Sequence, residues 1–430
     1  MCAGGGISSM SKARKPEHDL ARAMPLAAIQ ERIIESLENN DDTGVADAVD
    51  LMISQGAYHT ASDIHIEPWS DCLSLRYRID GILQQIAVIS QEFQPKVTAR
   101  LKVLADLVVY RKDVPQDGRI DSEKASCGRP MRISTVPTIR GEKIVIRLLG
   151  DSPDLYQLDT LGFHKNITNS LRDIITRSQG TLLLTGPSSS GKTTTIYALL
   201  REMMKLQKNA TNIVTIEDPV EYTIDKVAQI QVNPHVEFTF ANALRSILRQ
   251  DPEVIMVGEI RDVETAKMAV QAGLTGHFVI STIHSGTAAG VFTRLLDMGI
   301  EPFLVASSVS GVLAQRLLRL NCPDCAKPYT PDPILFRHFG QEEEKGEFFR
   351  GKGCKACQGI GYRGRASVGE FLQVNLEIAE YVLQRPTTAQ LHRLAVSKGM
   401  KTLADDAMEK ARKGITTIEE LARVMPLSNA

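Results

Sequence analysis

The stretch TGPSSSGKTTT, residues 185–195, follows the apolar triplet Leu182, Leu183 and Leu184 and fits G-x-x-x-x-G-K-[ST] between Gly186 and Thr193. In that pattern glycines let backbone N–H groups curl around phosphate oxygens, the lysine reaches the β- and γ-phosphates, and the final hydroxyl binds Mg2+. Here the lysine is Lys192 and the hydroxyl is that of Thr193. An apolar strand leads in and a helix-compatible run leads out, so bound phosphates would meet the partial positive charge of a helix N-terminus. The nucleotide-binding set so predicted is Gly186, Pro187, Ser188, Ser189, Ser190, Gly191, Lys192, Thr193 and Thr194.

Hydrolysis of ATP asks further for a carboxylate that positions water and for positive charge on the transferred phosphoryl group. Two acidic clusters follow apolar runs: TIEDPVEY, residues 215–222, and VIMVGEIRD, residues 254–262. The second starts as a buried strand and ends in acid, as a Walker B element does, with Glu259 where many P-loop enzymes carry aspartate. Four of the seven cysteines form a separate constellation, Cys322, Cys325, Cys354 and Cys357, spaced C-x2-C-x28-C-x2-C. Four thiolates in two chelating turns suit tetrahedral zinc (Zn2+), and a full shell of four cysteines leaves no open position for catalysis. The gap exceeds ribbon spacing and predicts an inserted loop over residues 330–349. Cys2, Cys72 and Cys127 lack a partner pattern and read as ordinary thiols.

These groups need a scaffold that holds them. Short apolar runs at 180–184, 212–216, 254–257 and 278–281 alternate with helical stretches, the pattern of a parallel sheet covered on both faces. Such sheets bind ligands beyond the carboxyl ends of their strands, where the glycine loop falls. Ahead of them lie an amphipathic segment over 26–37, a helix over 45–54 and another over 95–104. Strand-like runs fall at 73–79, 131–136 and 143–148, with a turn at Asp80-Gly81. The predicted fold class is α/β. Residues 1–44 form a mobile tail and short helix, 45–150 an α+β domain and 151–163 a linker. Residues 164–320 form a RecA-like P-loop ATPase core, 321–366 the tetracysteine zinc module and 367–430 a helical C-terminal region.

Composition narrows the class. The 430-residue chain carries 50 basic and 51 acidic side chains, which gives no global field for nucleic acid or an anionic membrane. No apolar run approaches the roughly 20 residues of a spanning helix, and residues 1–15 lack the apolar core of a secretory signal. A cytoplasmic location follows, with any membrane contact made through a partner.

The quoted motifs, with RSILRQDPEVIMVGEIRD (245–262) and TGHFVISTIHS (275–285), resemble the Walker A, Asp box, Walker B and His box of the type II secretion and type IV pilus assembly ATPases. ASDIHIEP (61–68), RYRIDG (76–81) and QDGRI (116–120) resemble the N-terminal half of the same family. The resemblance implies ATP, Mg2+ and Zn2+ as cofactors, with Lys192 and Thr193 on the phosphates and metal and Glu259 on Mg2+ through water. Glu221 then positions the water, supported by Glu217 and Asp218, and His284 and His277 sense the γ-phosphate or link the site to a neighbouring subunit. Arg132 and Arg147 match the arginines that reach the nucleotide from the N-terminal domain. The implied protein is a homohexameric motor, peripheral to the inner membrane. It drives a platform protein that builds a pseudopilus or pilus, and a cytoplasmic recruitment domain of the machine docks it. The tetracysteine insert matches the assembly motors, whereas retraction motors lack it. A nucleic-acid translocase with a RecA-like core is the rival from another class.

Overall fold

A computed structural model describes residues 23–39, 42–149, 157–206, 211–233, 236–339 and 347–425. The predicted tail over 1–22 and the linker residues 151–156 lie outside the described residues. The chain divides into two compact units, Met1–Pro153 and Asp154–Ala430.

In the first unit, helices α1 (Leu26–Glu38), α2 (Asp42–Tyr58) and α3 (Gln94–Leu104) accompany a six-stranded antiparallel sheet. Its strands are β1 (Asp63–Pro68), β2 (Cys72–Ile79), β3 (Ile82–Ser90), β4 (Gln116–Ile120), β5 (Met131–Thr138) and β6 (Gly141–Leu148), in the order β3-β2-β1-β6-β5-β4. Period-two alternation decides which face is covered. Ile64, Ile66, Leu75, Tyr77, Ile144 and Ile146 are buried, while Asp63, His65, Glu67, Arg76, Arg78 and Arg147 alternate with them on the other face. The stripe Ile29, Ile33 and Leu37 buries α1 against the same core, so the amphipathic segment belongs to this unit and not to a tail. Asp80 and Gly81 both hold positive φ, 46° and 81°, which sets the two-residue turn between β2 and β3.

The second unit centres on a seven-stranded sheet in the order β15-β12-β7-β11-β10-β8-β9. Along the chain come α4 (Lys165–Ile175), β7 (Gly180–Thr185), α5 (Lys192–Leu206), β8 (Ile213–Glu217), β9 (Ala228–Gln231), α6 (Phe240–Ile247) and β10 (Val254–Ile260). Then follow α7 (Val263–Leu274), β11 (Phe278–Ile283), α8 (Ala288–Asp297), α9 (Pro302–Ser308) and β12 (Val309–Asn321). Every residue of β7, β8 and β11 is buried. Burial on both faces is why these strands read as unbroken apolar runs. On one face Leu182 and Leu184 meet Ile174 of α4 and Ile196 and Leu199 of α5. On the other, Leu183 joins a core containing Leu244 of α6, Ala266 of α7 and Phe292 of α8. Leu158, Leu161 and Phe163, placed in the predicted linker, pack into the first of these clusters.

The sheet extends beyond the four predicted strands. β12 lies parallel to β7, and β15 (Tyr362–Gln373) runs antiparallel to β12. The cysteine module interrupts this hairpin, with β13 (Ala326–Tyr329), α10 (Pro333–His338) and β14 (Phe348–Gly351) inserted between its arms. Residues 367–373 are therefore strand, and the helical region starts only at α11 (Leu376–Leu383). It continues through α12 (Thr388–Ser397), α13 (Leu403–Arg412) and α14 (Ile418–Val424). Among the described residues, no helix is long and apolar enough to cross a membrane.

Candidate nucleotide and metal sites

The parallel register aligns the carboxyl ends of five strands. Val257 of β10 stands beside Ile216 of β8, Ile283 of β11 beside Ile260 of β10, Thr282 of β11 beside Leu184 of β7, and Ala314 of β12 beside Thr185 of β7. The residues that follow, Asp218, Glu259, His284, Gly186 and Gln315, thus emerge along one edge.

The glycine loop between β7 and α5 has left-handed backbone at Ser189 and Gly191, with φ of 60° and 85°. At Gly186, φ is 150° and a Cβ would stand 2.5 Å from the Gln315 carbonyl oxygen, so only glycine fits there. Lys192 Nζ donates to the carbonyls of Gly186 and Pro187, both at 2.9 Å, and so lies folded into its own loop. Burial, and next the charge of Arg316, push the Lys192 ammonium below the usual lysine range, while Glu259 opposes both. Thr193 and Thr194 stand in the first turn of α5, half-buried. Ser190 is buried, and its hydroxyl has no partner among the described residues.

Glu259 owes its position to an irregularity. The register between β10 and β11 shifts between Val257 and Ile260, and Ser281 Oγ and Thr282 Oγ1 take up the freed carbonyls of Val257 and Gly258 at 2.7 and 2.9 Å. The carboxylate accepts from Arg261 at 2.5 Å and lies 3.8 Å from His284 Nε2. That bond raises the Arg261 pKa further above its usual value, with a smaller contribution from Asp218, so the Asp box and Walker B segments share one field. Thr185 Oγ1 ties the loop after His284 to the P-loop strand, accepting from Ser285 N at 2.8 Å and donating to its carbonyl at 2.9 Å.

Glu217 ends β8 and is buried. It accepts from Tyr197 Oη, from Thr215 Oγ1 at 2.6 Å and from Gln229 Nε2 at 3.1 Å. Burial first, and then the Glu217 charge, push the Tyr197 phenol up, so it remains a donor. Glu217 thus anchors the strand from which the half-buried Glu221 loop departs. His277 does not join this group: it precedes β11, at the opposite end of the strand from His284. At about 3.3 Å per residue that is roughly 20 Å from the glycine loop, too far to sense a phosphate. Its Nδ1 lies 3.2 Å from the Ala272 carbonyl, and its own carbonyl accepts from Gly180.

In the first unit, Arg132 and Arg147 are register partners on β5 and β6. Arg147 Nε donates to Asp63 Oδ1 at 2.9 Å, and Arg132 is exposed.

The four cysteine sulfurs lie within 4.8 Å of one another, with Sγ–Sγ separations of 3.8 Å for Cys322–Cys354 and 3.7 Å for both Cys325–Cys357 and Cys354–Cys357. A tetrahedron with Zn–S near ~2.3 Å has edges of about 3.8 Å, so the donor set fits zinc. Cys357 Sγ also accepts from the N–H groups of Cys354 and Gly361 at 3.1 and 3.2 Å, which favours a thiolate. Gly359 supplies positive φ at 81° for the turn after Cys357. The module is tied to the sheet: Asn321 Nδ2 donates to the Phe349 and Gly414 carbonyls at 2.7 and 2.9 Å, and Arg319 pairs with the buried Glu420.

Gln315 and Arg316, on β12, escape a reading by motif. Gln315 Nε2 donates to the Ser190 carbonyl at 2.7 Å, and Arg316 reaches the loop after His284 through the Gly286 carbonyl at 3.0 Å. Only the pairing of β12 with β7 brings them to the glycine loop, and no local spacing announces that pairing.

Fold and site together define a RecA-like P-loop ATPase core joined to an α+β domain. The chain belongs to the family described as Type II/IV secretion system protein, whose profile matches residues 38–423. It is 44% identical over 389 residues to the type II secretion system ATPase E of Vibrio cholerae, covering 90% of this chain and 76% of that one. It is 40% identical over 411 residues to the type IV pilus assembly ATPase PilB of Thermus thermophilus, covering 95% of this chain and 46% of that protein. Among solved structures, the ATPase DotB of Yersinia pseudotuberculosis matches with a TM-score of 0.67 at 21% identity, covering 89% of this chain and 94% of that one. The pilus retraction motor PilT with bound ADP matches at 0.60 and 23%, covering 88% and 96%. These likenesses support the fold.

Proposed function

We propose that the chain is an ATP-hydrolysing motor that works as a homohexamer and powers assembly of a type II secretion pseudopilus or a type IV pilus. It acts on an inner-membrane platform protein from the cytoplasmic side and is docked by a recruitment domain of the same machine. The observation that carries the reading is the convergence of Lys192, Glu259, Arg261 and His284 where the P-loop strand, β10 and β11 end. The names of the relatives, secretion ATPase E and pilus assembly PilB, support the choice of machine.

In the proposed cycle, the loop amides and Lys192 bind the triphosphate, and the ammonium leaves the Gly186 and Pro187 carbonyls for phosphate oxygens. Thr193 and, through water, Glu259 would hold Mg2+, which when bound would supply positive charge against the phosphates. Glu221 orients the attacking water, and Glu217 fixes the strand that carries it. Arg132 and Arg147, which match the family's phosphate-reaching arginines, would add charge-assisted contacts to the bound nucleotide. The four cysteines would hold zinc, whose contribution when bound is structural.

The test is phosphate release by the purified chain with Mg-ATP, in the presence and absence of single-stranded DNA. The reading predicts turnover that DNA does not stimulate and that Lys192→Ala abolishes. A wild-type rate in Lys192→Ala would refute the site.

A further inference from the structure

We infer that Arg316 is a second cation for the nucleotide's phosphate chain, supplied by the same subunit from β12. This rests on the nucleotide reading of the glycine loop and adds a residue that neither the motifs nor the register of acidic clusters points to.

Three observations carry the inference. First, Arg316 lies against the cradle: a Cβ built on Gly186 would stand 3.2 Å from Arg316 Nη1. Its charge is also the largest influence on Lys192 after burial. Second, the guanidinium is half-buried yet forms no ion pair among the described residues. Nη1 donates to the Gln315 carbonyl at 2.9 Å and Nη2 to the Gly286 carbonyl at 3.0 Å, and Glu370 acts on it only as a more distant charge. An arginine has five N–H donors, and a partly desolvated one held by neutral carbonyls alone has most of its capacity for an anion left. Third, the strand beneath it is fixed from both sides. Ala314 pairs with Thr185 in the ladder, and Gln315 Nε2 holds the Ser190 carbonyl at 2.7 Å. The backbone that carries Arg316 is therefore held beside the glycine loop, within reach of its side chain.

Two cations with no phosphate between them repel each other. With Arg316 beside Lys192, the free loop carries more positive charge than the motif lysine alone supplies. A polyphosphate relieves that repulsion, and a mononucleotide with one phosphate does so less. Arg316 should thus sharpen preference for a triphosphate, and its bond to Gly286 places the reporter of that charge on the loop directly after His284.

The test compares binding of a fluorescent, non-hydrolysable ATP analogue and of AMP to the full chain. The variants are wild type, Lys192→Ala, Arg316→Gln and Arg316→Lys. Glutamine keeps N–H donors for the carbonyls and removes the charge, so a merely structural role survives it. Loss of a charge-assisted phosphate contact predicts about tenfold or greater weakening for the analogue in Arg316→Gln, little change for AMP, and partial recovery in Arg316→Lys. Wild-type affinity for the analogue in Arg316→Gln, alongside loss in Lys192→Ala, would overturn the inference and leave the site reading intact. Equal weakening for the analogue and AMP would overturn it in favour of a structural role. Failure of the wild type to bind the analogue would overturn the nucleotide reading and this inference with it.

Discussion

Replacing Glu217 by alanine removes the acceptor shared by two buried donors, Tyr197 and Thr215, and the half-buried Gln229. Gln229 retains the Tyr222 carbonyl at 3.2 Å, so the Tyr197 and Thr215 hydroxyls lose most. Each orphaned buried donor costs about 1–3 kcal/mol, and the two together give roughly 3–5 kcal/mol once the small void is included. Glu217→Gln keeps an oxygen for Thr215 and lets the phenol turn, for a cost of about 1 kcal/mol. The loss falls on β8 and on α5, which Tyr197 occupies. Hydrogen exchange followed by mass spectrometry should show β8 and α5 amides exchanging about 100-fold faster or more in Glu217→Ala, with β1 to β6 unchanged. Phosphate release should fall in parallel, because Asp218 and Glu221 depart from the loosened strand. Exchange in β8 within a few-fold of wild type would refute the argument that Glu217 is an anchor.

Other expectations are more local. His59 and His65 are held below the usual histidine range, each chiefly by burial. The unfolded chain then binds protons at higher pH than the folded one, so this part of the stability is intact above about pH 6.5 and is lost as pH falls toward the folded values. Fluorescence of Trp69, the chain's only tryptophan, should report a lower denaturation midpoint for the first unit at pH 5 than at pH 7, and His59→Gln with His65→Gln should flatten the dependence. Purified protein should carry about one zinc per chain by elemental analysis. Chelation or Cys357→Ser should speed exchange in β13 and β14, and metal-free protein with unchanged exchange would contradict a structural zinc.

What could be read in advance was whatever lies close along the chain. The glycine loop, the two acidic clusters and the cysteine pairs are contiguous, so their chemistry is visible without the fold. The strands β7, β8, β10 and β11 are visible because burial on both faces leaves each with a mainly apolar run. β12 and β15 were not: polar Gln315, Arg316 and Arg319 break the apolar run of one, Arg363, Arg365 and Glu370 that of the other, and the cysteine module separates the two arms. His277 and His284 look equivalent in a motif seven residues apart, yet a strand between them sends them to opposite ends of the sheet. Arg316 has no signature at all, since its meaning comes from the neighbour that β12 acquires on folding.

The most direct test is a structure of the full chain with Mg2+ and a non-hydrolysable ATP analogue. The account predicts phosphates within the loop of Gly186 to Thr193, Lys192 Nζ moved from the Gly186 and Pro187 carbonyls onto phosphate oxygens, and Arg132 or Arg147 on the same nucleotide. A loop without nucleotide, with Lys192 still bound to its own carbonyls at saturating analogue, would contradict it.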